Sequence, residues 1–373
     1  MFQMVALGSI SEMRYGRMPD KKRISNTGQY PVFSGYRIVG YYDECNLPGS
    51  ELVVIARGVG GTGDVKLSPE NCFLTNLAIA VIVDETIALK KYLYYYFKQH
   101  DLRYLDSGSA QSQITVSDLK RLEVPLPAIE EQKRIVSILA AFDEKIAINE
   151  RINDNLEQQA ASVFQDLFVT QVDPSWPEGT ISDLGTVVGG STPSKAKPEY
   201  YTKQGIAWIT PKDLSVDKSK FVSHGADDIT ELGLQSSSAS IMPKGTVLFS
   251  SRAPIGYIAI ADGEVTTNQG FKSVVPHSNV GTAFVYFFLK NALPTIEAMA
   301  SGSTFKEISG SAMRTVPAVI PDDATLKRFS AFCDPLFEQQ RILEQQNREL
   351  ASVRDALLPK LMSGEIDVSS ITF

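Results

Sequence analysis

Three glycines follow an apolar run in the first quarter of the chain, in a pattern that can cradle the phosphates of a nucleotide. Gly58, Gly60 and Gly63 give the spacing G-x-G-x-x-G directly after the β-branched residues 52–55. That chemistry needs a following helix whose N-terminal N–H groups hold the pyrophosphate. The residues after Gly63 instead alternate apolar and polar side chains and reach a turn at Pro69. The pattern therefore predicts a glycine-rich β-hairpin rather than a nucleotide site.

No other stretch has the residue types and spacing of a catalytic centre. The three cysteines and three histidines are scattered, which argues for reduced cysteines and against a zinc site. There is no G-x-x-x-x-G-K-[ST] phosphate loop. Residues 173–176, Asp-Pro-Ser-Trp, approach a methyltransferase motif but lack its second proline and are typical of a turn. We expect a non-enzymatic chain with no metal and no cofactor.

Composition bounds the class of protein. The chain has 373 residues, enough for two or three domains, and a net charge of −7, which argues against a simple DNA-coating protein. The acidic excess is concentrated in residues 129–170 and 322–373, whose patterns are helical. The longest apolar run, 77–83, is too short to span a membrane, and the N-terminus does not resemble a signal peptide. We expect a cytoplasmic protein without a membrane segment.

The chain repeats itself at an offset of 194 residues. The Ser-Gly-Ser sequence at 107–109 recurs at 301–303, and Pro127 falls on Pro321 at the same offset. The repeat predicts two halves, each with a globular segment followed by a helical one.

Apolar residues spaced by three and four follow residues 135–167 and 329–361, as in the seam of a coiled coil. Asn153 and Asn347 occupy equivalent seam positions, where a polar residue usually fixes register. Forty helical residues extend roughly 60 Å, which favours two long antiparallel helices with a pseudo-two-fold axis. The alternative is that each helix packs on its own globular domain. The pair Asp334-Pro335 predicts a break and a fresh start in the second helix.

The segments outside these helices are rich in short apolar alternations, glycine and small polar residues, which predicts mainly antiparallel sheets. Residues 87–99 and 282–290 predict aromatic-rich core helices at matching places. The predicted fold class is α+β. Its parts are a globular domain at 1–128, a long helix at 129–170, a second globular domain at 171–321, and a second long helix with a tail at 322–373.

Three stretches resemble the specificity subunit of type I DNA restriction–modification systems. Residues 124–135, VPLPAIEEQKRI, resemble the start of that family's first long helix, and residues 357–366, LLPKLMSGEI, resemble the end of the second. The sequence GGSTPS at 189–194, followed by GIAWITPKDL at 205–214, is similar to the start of a common type of target-recognition domain. Residues 322–326 depart from the family's usual start to the second helix.

The resemblance implies a function. Two target-recognition domains would each read one half of a split site in double-stranded DNA, and the paired helices would set the spacing. The helices would also dock two methyltransferase subunits, which bind S-adenosylmethionine and flip out adenine. Motor–nuclease restriction subunits would join for cleavage, and this chain would be non-catalytic. The alternative is a coiled-coil scaffold whose globular ends bind proteins without DNA specificity.

The repeat also guides the choice of DNA-binding residues, because shared features should serve as scaffold or phosphate contacts and differing ones should read sequence. Arg57 and Arg252 each follow an apolar strand, and either contact phosphate or form a salt bridge. Asn76 and Asn268 match in the repeat, and either reach base edges or cap a turn.

Further candidates lie in loops and in the stretches that differ between the halves. Gln111 and Lys306 stand beside the Ser-Gly-Ser loops, whose hydroxyl and N–H groups suit phosphate. The stretches 14–37 and 191–224 are rich in basic residues, for which a solvated charged face is the alternative to DNA contact. Their candidates are Arg17, Lys21, Lys22, Lys195 and Lys212, and the second stretch also holds Lys218 and Lys220.

Overall fold

The computed structural model describes residues 2–58, 61–106, 113–302 and 306–369, and the chain divides into two compact units. Unit 1 comprises Met1–Ile146 and Glu349–Phe373, and unit 2 comprises Ala147–Arg348. Each of the two long helices contributes residues to both units.

The described part of unit 1 has nine β-strands in three sheets. Strands β2, β8, β5 and β6 form an antiparallel sheet in that order, β4 and β7 flank β3, with β7 parallel to it, and β1 pairs with β9. The strands are β1 (Gln3–Ala6), β2 (Ser11–Tyr15), β3 (Tyr30–Phe33), β4 (Ile38–Tyr42), β5 (Leu52–Ile55), β6 (Val65–Leu67), β7 (Phe73–Leu74), β8 (Ala78–Val83) and β9 (Glu123–Leu126).

Three α-helices begin in the described residues of unit 1. They are α1 (Lys90–Gln99), α2 (Val116–Arg121) and the long helix α3 (Ile129–Gln165), which ends in a π-helical turn at Asp166–Thr170. A capping box starts α2, in which Thr115 and Asp118 satisfy each other's backbone N–H groups. The aromatic face of α1 is buried in the core of unit 1, as the sequence predicts.

Strands β5 and β6 form the β-hairpin that the glycine pattern predicts. Strand β6 returns antiparallel beside β5, and no helix follows the loop. A Cβ atom at Gly58 would lie 2.2 Å from the Tyr36 hydroxyl oxygen, and one at Gly61 would lie 2.3 Å from the Tyr36 ring. Gly60 lies outside the described residues. Gly58 and Gly61 therefore make room for an aromatic side chain, which gives these two glycines a structural role.

The described part of unit 2 has eleven strands in three sheets. Strands β11, β19, β16, β17 and β14 form one sheet in that order, β12, β15, β13 and β18 form another, and β10 pairs with β20. The strands are β10 (Glu178–Thr180), β11 (Gly185–Gly189), β12 (Tyr201–Thr202), β13 (Ile206–Ile209), β14 (Phe221–Val222), β15 (Asp228–Ile229), β16 (Val247–Ser251), β17 (Ile255–Ala261), β18 (Thr266–Thr267), β19 (Lys272–Pro276) and β20 (Pro317–Val319).

Where unit 2 is described, six short α-helices and one long α-helix begin in it. They are α4 (Ile181–Leu184), α5 (Pro211–Val216), α6 (Glu231–Gln235), α7 (Thr282–Asn291), α8 (Leu293–Met299), α9 (Gly310–Arg314) and α10 (Asp323–Ser363). The aromatic side chains of α7 are buried together with Phe164 of α3 and Phe329 of α10. Burial of each such side chain stabilises the fold by about 1.5–3 kcal/mol.

The two units repeat one topology. The order β2-β8-β5-β6 of unit 1 recurs as β11-β19-β16-β17 in unit 2, and the parallel pair β3–β7 recurs as β13–β18. Unit 2 has one more strand in the larger sheet, β14, which pairs parallel with β17 and forms the edge of the sheet. The predicted α+β fold class and internal repeat are confirmed.

The long helices pair antiparallel in each unit. In unit 2, Asn149 Nδ2 donates to Asn347 Oδ1 at 2.8 Å, and Gln340 Nε2 donates to the Asn153 carbonyl oxygen at 2.9 Å. Residue numbers therefore increase along α3 in the direction in which they decrease along α10, so the two helices are antiparallel. The sequence repeat makes Asn153 the equivalent of Asn347. The side chain that bonds Asn347 is instead that of Asn149, one helical turn before Asn153.

The predicted break at Asp334-Pro335 is wrong, because α10 runs unbroken from Asp323 to Ser363. An internal proline costs a helix about 3 kcal/mol. The flanking Cys333 and Phe337 are buried in the core of unit 2, and this packing holds the helix through the proline. None of the helices in the described part of the chain is both long enough and apolar enough to cross a membrane.

Candidate nucleic-acid interface

An open groove of about 670 Å³ in unit 2, here called groove 2, brings four of the predicted DNA-binding residues together. Lys195, Lys212, Arg252 and Asn268 all line it, although they come from four separate segments of the chain. Lys195 and Lys212 are exposed. The groove thus combines cationic side chains with amide and hydroxyl groups, which is the chemistry of phosphate and base-edge contacts.

Helix α5 places Lys212 at the rim of groove 2. Thr210 caps the helix, and the Asp213 carboxylate accepts from the Thr210 N–H and hydroxyl groups, both at 2.7 Å. The other Asp213 oxygen accepts from the Ala226 N–H at 3.0 Å. Three donors therefore hold this carboxylate, and Lys212 presents its charge beside an acid that is engaged in the fold.

The turn that carries Asn268 is packed closely against Gly190, the residue that follows β11. Asn268 Oδ1 accepts from the Gly270 N–H at 2.8 Å, so the turn-capping role is present. A Cβ atom at Gly190 would lie 1.9 Å from the Asn268 carbonyl oxygen, and only glycine allows this approach. Contact of Asn268 with a base edge stays a prediction. Gln269, which follows it directly and also lines the groove, is a candidate that the sequence reasoning missed.

Arg252 forms a salt bridge, which is one of the two alternatives that the sequence analysis gives for it. Its Nη1 atom lies 3.2 Å from Glu307 Oε2, and both side chains are more than a third exposed. Lys272 Nζ lies 3.6 Å from the other oxygen of Glu307. Phosphate contact by Arg252 stays a prediction, and it requires a phosphate to compete with Glu307.

Unit 1 has a smaller groove of about 180 Å³, here called groove 1, and Arg17 lines it. Arg17 Nη2 lies 3.0 Å from Glu44 Oε1, and Arg14 Nη2 donates to the Asn46 carbonyl oxygen at 3.0 Å. The Asn46 side chain bonds both the N–H and the carbonyl group of Leu74. The arginines of groove 1 are therefore held by groups from the neighbouring turn.

Backbone hydrogen bonds place Arg57 and Arg252 at equivalent positions. The Ile114 N–H donates to the carbonyl oxygen of Ala56, the residue before Arg57, and the Ile308 N–H donates to that of Ser251, the residue before Arg252. Arg57 is exposed, and its guanidinium carbon lies 5.7 Å from the centre of the Tyr15 ring. The shared position supports a shared role for the two arginines.

The remaining candidates lie on turns and loops. Asn76 is half-buried in the turn between β7 and β8, and Lys21 and Lys22 are exposed in the turn that follows Asp20. Lys306 is exposed beside Glu307. Gln111, the Ser-Gly-Ser loop at 107–109 and Ser303 lie outside the described residues. The structure leaves the DNA-binding role of all of these residues as a prediction.

For one of the basic residues, Lys220, the structure contradicts the sequence prediction. The sequence predicts that Lys220 lies in a DNA-reading stretch or on a solvated face, but it is buried and paired with Glu157 of α3. The reason is strand β14, which begins at the next residue and carries the lysine beneath the edge of the sheet. Its neighbour Lys218 stays nearer the surface, where its Nζ atom lies 4.5 Å from the centre of the Tyr257 ring.

The two buried cysteines, Cys72 and Cys333, are protonated thiols at neutral pH. Burial raises the pKa of Cys72 to about 11 and the pKa of Cys333 to about 12. Among the described residues, no group of three or more His, Cys, Asp or Glu side chains is arranged to hold a metal ion.

Comparison with known proteins assigns the family. Residues 1–158 and 174–352 match the family model described as "Type I restriction modification DNA specificity domain". The type I restriction enzyme MjaIX specificity subunit of Methanocaldococcus jannaschii is 37% identical over 196 residues, which are 50% of this chain and 45% of that protein. The HindI specificity subunit of Haemophilus influenzae is 23% identical over 329 residues, or 68% of this chain and 71% of that protein.

A solved structure shares the fold. The crystal structure of a type I restriction–modification S subunit from M. genitalium gives a TM-score of 0.63 at 22% identity, covering 97% of this chain and 96% of that one. The aligned region spans less than half of the MjaIX subunit, whereas the family model matches most of this chain. The chain belongs to the type I restriction–modification DNA specificity domain family.

Proposed function

We propose that this chain is the DNA sequence-recognition subunit of a type I restriction–modification complex and has no catalytic role of its own. Each unit contributes one recognition domain, predicted at 1–128 and 171–321, and each domain reads one half of a split site in double-stranded DNA. The observation that carries the proposal is the match to a DNA specificity family in both halves of the chain.

Groove 2 supports the assignment of DNA contacts in the second half. Three cationic side chains would contact phosphates: Lys195, Lys212 and Arg252. Asn268 and Gln269 carry amide groups, which can form two hydrogen bonds to the edge of one base. Both kinds of contact are needed, because phosphate contacts position a protein and base contacts specify a sequence.

The long helices, predicted at 129–170 and 322–373, serve as the spacer between the half-sites and as the docking surface for two methyltransferase subunits. Motor–nuclease subunits join this core for cleavage. A net charge of −7 suits a subunit whose partners neutralise much of the DNA phosphate. The isolated chain should therefore bind DNA weakly. We place the complex in the cytoplasm, where it has access to cellular DNA.

The test is to map methylated adenine across the genome of cells that co-express this chain with methyltransferase subunits of its own system. We expect a split motif with one fixed gap. Replacing residues 1–128 with the matching segment of another family member should change one half of the motif and leave the other half and the gap unchanged.

Two outcomes would reject the proposal. One is an assembled complex that methylates no motif, and the other is a motif that the exchange of residues 1–128 does not alter. Either would favour a coiled-coil scaffold without DNA specificity. Co-purification of the methyltransferase with both the exchanged and the original chain is the control for assembly.

A further inference from the structure

A buried lysine ties the extra strand of unit 2 to the helix pair. Lys220 is 8% exposed and directly precedes β14, the strand with no counterpart in the larger sheet of unit 1. The β14 residues Phe221 and Val222 pair with Ile260 and Ala261 of β17. The strand thus joins Lys220 firmly to the recognition domain.

The ammonium group of Lys220 lies among side chains of both long helices. Its Nζ atom donates to the Glu157 carboxylate on α3 and, at 2.6 Å, to Gln340 Oε1 on α10. It also lies 3.9 Å from the centre of the Phe337 ring and 4.7 Å from that of Tyr286. An ion pair, a hydrogen bond and two aromatic faces enclose one charge.

The backbone of the same segment is held by a second carboxylate. Glu344 of α10 accepts from the Lys220 N–H at 2.8 Å and from the Phe221 N–H at 3.0 Å. Helix α3 therefore holds the side chain through Glu157, and α10 holds the main chain through Glu344. The two bonds from adjacent N–H groups to one carboxylate fix the direction as well as the position of the strand.

Burial of these charges adds little to the free energy of unfolding but restricts the strand to one position on the helix pair. Burial lowers the pKa of Lys220, although Glu157 opposes the shift, and burial raises the pKa of Glu344. A buried ion pair often adds little net stability, because desolvation offsets the attraction. Its energy depends steeply on distance, however, so a small displacement of the strand leaves charges unpaired in a medium of low dielectric.

Unit 1 holds its long helices through other groups, among them the buried Gln132 of α3, which bonds backbone groups just before α1. Tyr95 of α1 donates to Asp143 of α3 at 2.7 Å, and Arg354 of α10 pairs with the same carboxylate at 2.5 Å. The recognition domain contributes one hydroxyl group to this arrangement. No strand lies beyond β6 in the described part of unit 1. The fold therefore does not require a buried lysine, and its presence in unit 2 calls for a separate explanation.

We propose that Lys220 and Glu344 are positioning residues that fix the recognition domain of unit 2 on the helix pair, and so set the number of base pairs between the two halves of the DNA site. This inference rests on the proposed function. The recognised base sequences depend on groove 2, and the gap depends on where the helix pair holds that groove.

The variants Lys220→Met and Glu344→Gln test the proposal in the genome-wide methylation map. Methionine keeps the packing against the aromatic rings, and Glu157 keeps its bonds to Lys290 and Tyr286. We expect both half-site sequences to persist while sites with a gap one base pair longer or shorter gain methylation by about tenfold, the scale of one lost charge-assisted hydrogen bond.

The matched control is Lys244→Met, which removes an exposed lysine of the same unit that pairs with Asp262 at 3.1 Å. It should keep the original gap. Methylation by both variants at the original gap alone, at any level, would overturn the proposal. So would the loss of folded protein in both variants, because that result would make the cluster a stability element only.

A distance measurement separates this inference from the proposed function. Spin labels at Glu264→Cys in the recognition domain and Gln339→Cys on α10, in a Cys45→Ser background, report the placement of one on the other without DNA. The distance distribution should broaden in Lys220→Met and not in Lys244→Met. Equal widths would reject the positioning role even if the methylation motif is split. A broadened distance distribution in Lys220→Met without a split methylation motif would support the positioning role of Lys220 and reject the proposed function.

Discussion

If Arg252 contacts phosphate as we propose, Glu307 competes with DNA for this arginine, and substitutions at the two residues should change DNA affinity in opposite directions. Arg252 Nη1 lies 3.2 Å from Glu307 Oε2 at the wall of groove 2. A phosphate that binds Arg252 must replace this carboxylate. Arg252→Ala should therefore weaken DNA binding by the assembled complex, and Glu307→Gln should strengthen it.

The magnitudes follow from the exposure of the pair. Both side chains are more than a third exposed, so the internal ion pair is worth about 0–1 kcal/mol. An arginine–phosphate hydrogen bond contributes about 1.5–3 kcal/mol. The difference predicts a loss of about 0.5–3 kcal/mol for Arg252→Ala, which is roughly a 2- to 150-fold rise in Kd. Glu307→Gln should lower Kd by up to about fivefold.

The assay is fluorescence anisotropy of a labelled duplex carrying the methylated motif, titrated with the complex between about 50 and 200 mM salt. Loss of one phosphate contact should reduce the slope of log K against log salt by about 0.9. The double variant isolates the pair, because Glu307→Gln should give a smaller gain when Arg252 is already alanine. Lys244→Ala, which removes a lysine outside groove 2, is the control for a general change in charge.

Two results would refute this reasoning. Equal affinity and an equal salt slope in Arg252→Ala and the Lys244→Ala control would show that Arg252 does not face phosphate. A full gain from Glu307→Gln in the Arg252→Ala background would show that the acid acts through its charge alone. A loss confined to one base position, with the slope unchanged, would make Arg252 a base-reading residue instead.

Three further predictions concern the scaffold. In urea unfolding, Asn149→Leu should cost about 1–3 kcal/mol because Asn347 loses its partner, and the double leucine variant should regain that stability; an additive loss would contradict the pairing. Glu157→Gln should cost about 2–3 kcal/mol at pH 7. Burial raises the pKa of Glu157, but two neighbouring lysines outweigh it and leave the pKa below its ordinary value. Its contribution is therefore present at neutral pH, and the deficit of the variant should shrink as the pH falls below about 4; a deficit independent of pH would refute this. Gly190→Ala should lower the Tm, at a cost of about 1–3 kcal/mol, because its Cβ atom would lie 1.9 Å from a backbone oxygen. Gly189→Ala has no heavy atom within 4 Å of its Cβ atom and should be neutral, so equal Tm values for the two variants would count against the packing described.

The elements whose signals are local could be predicted from the sequence. The long helices follow from the spacing of apolar residues, and the hairpin after β5 follows from the turn at Pro69 and the alternation before it. Proline at position 335 is also a local signal, but here packing of its neighbours outweighs it. Local propensity therefore identified the elements and failed where tertiary packing opposed it.

The surroundings of individual charges could not be predicted in this way. Lys220 lies in the polar sequence Asp-Lys-Ser-Lys, which reads as a solvated turn. Its partners Glu157 and Gln340 are 63 and 120 residues away. No periodicity links these positions. The repeat and the basic stretches predict four of the residues that line groove 2. Gln269 has no sequence signal beyond its position next to Asn268.

The two halves share their backbone arrangement and differ in the charges placed on it. The residues before Arg57 and Arg252 accept equivalent hydrogen bonds, yet the residue bridged to Arg57 is the neutral Gln113, whereas Arg252 is bridged to the acidic Glu307. Glu307 therefore restrains one arginine, and an amide stands in its place in the other unit. Because an arginine that must leave a carboxylate and one whose bridged residue is a neutral amide differ in the cost of binding phosphate, the two proposed recognition domains should select different half-sites, and the methylated motif should be asymmetric.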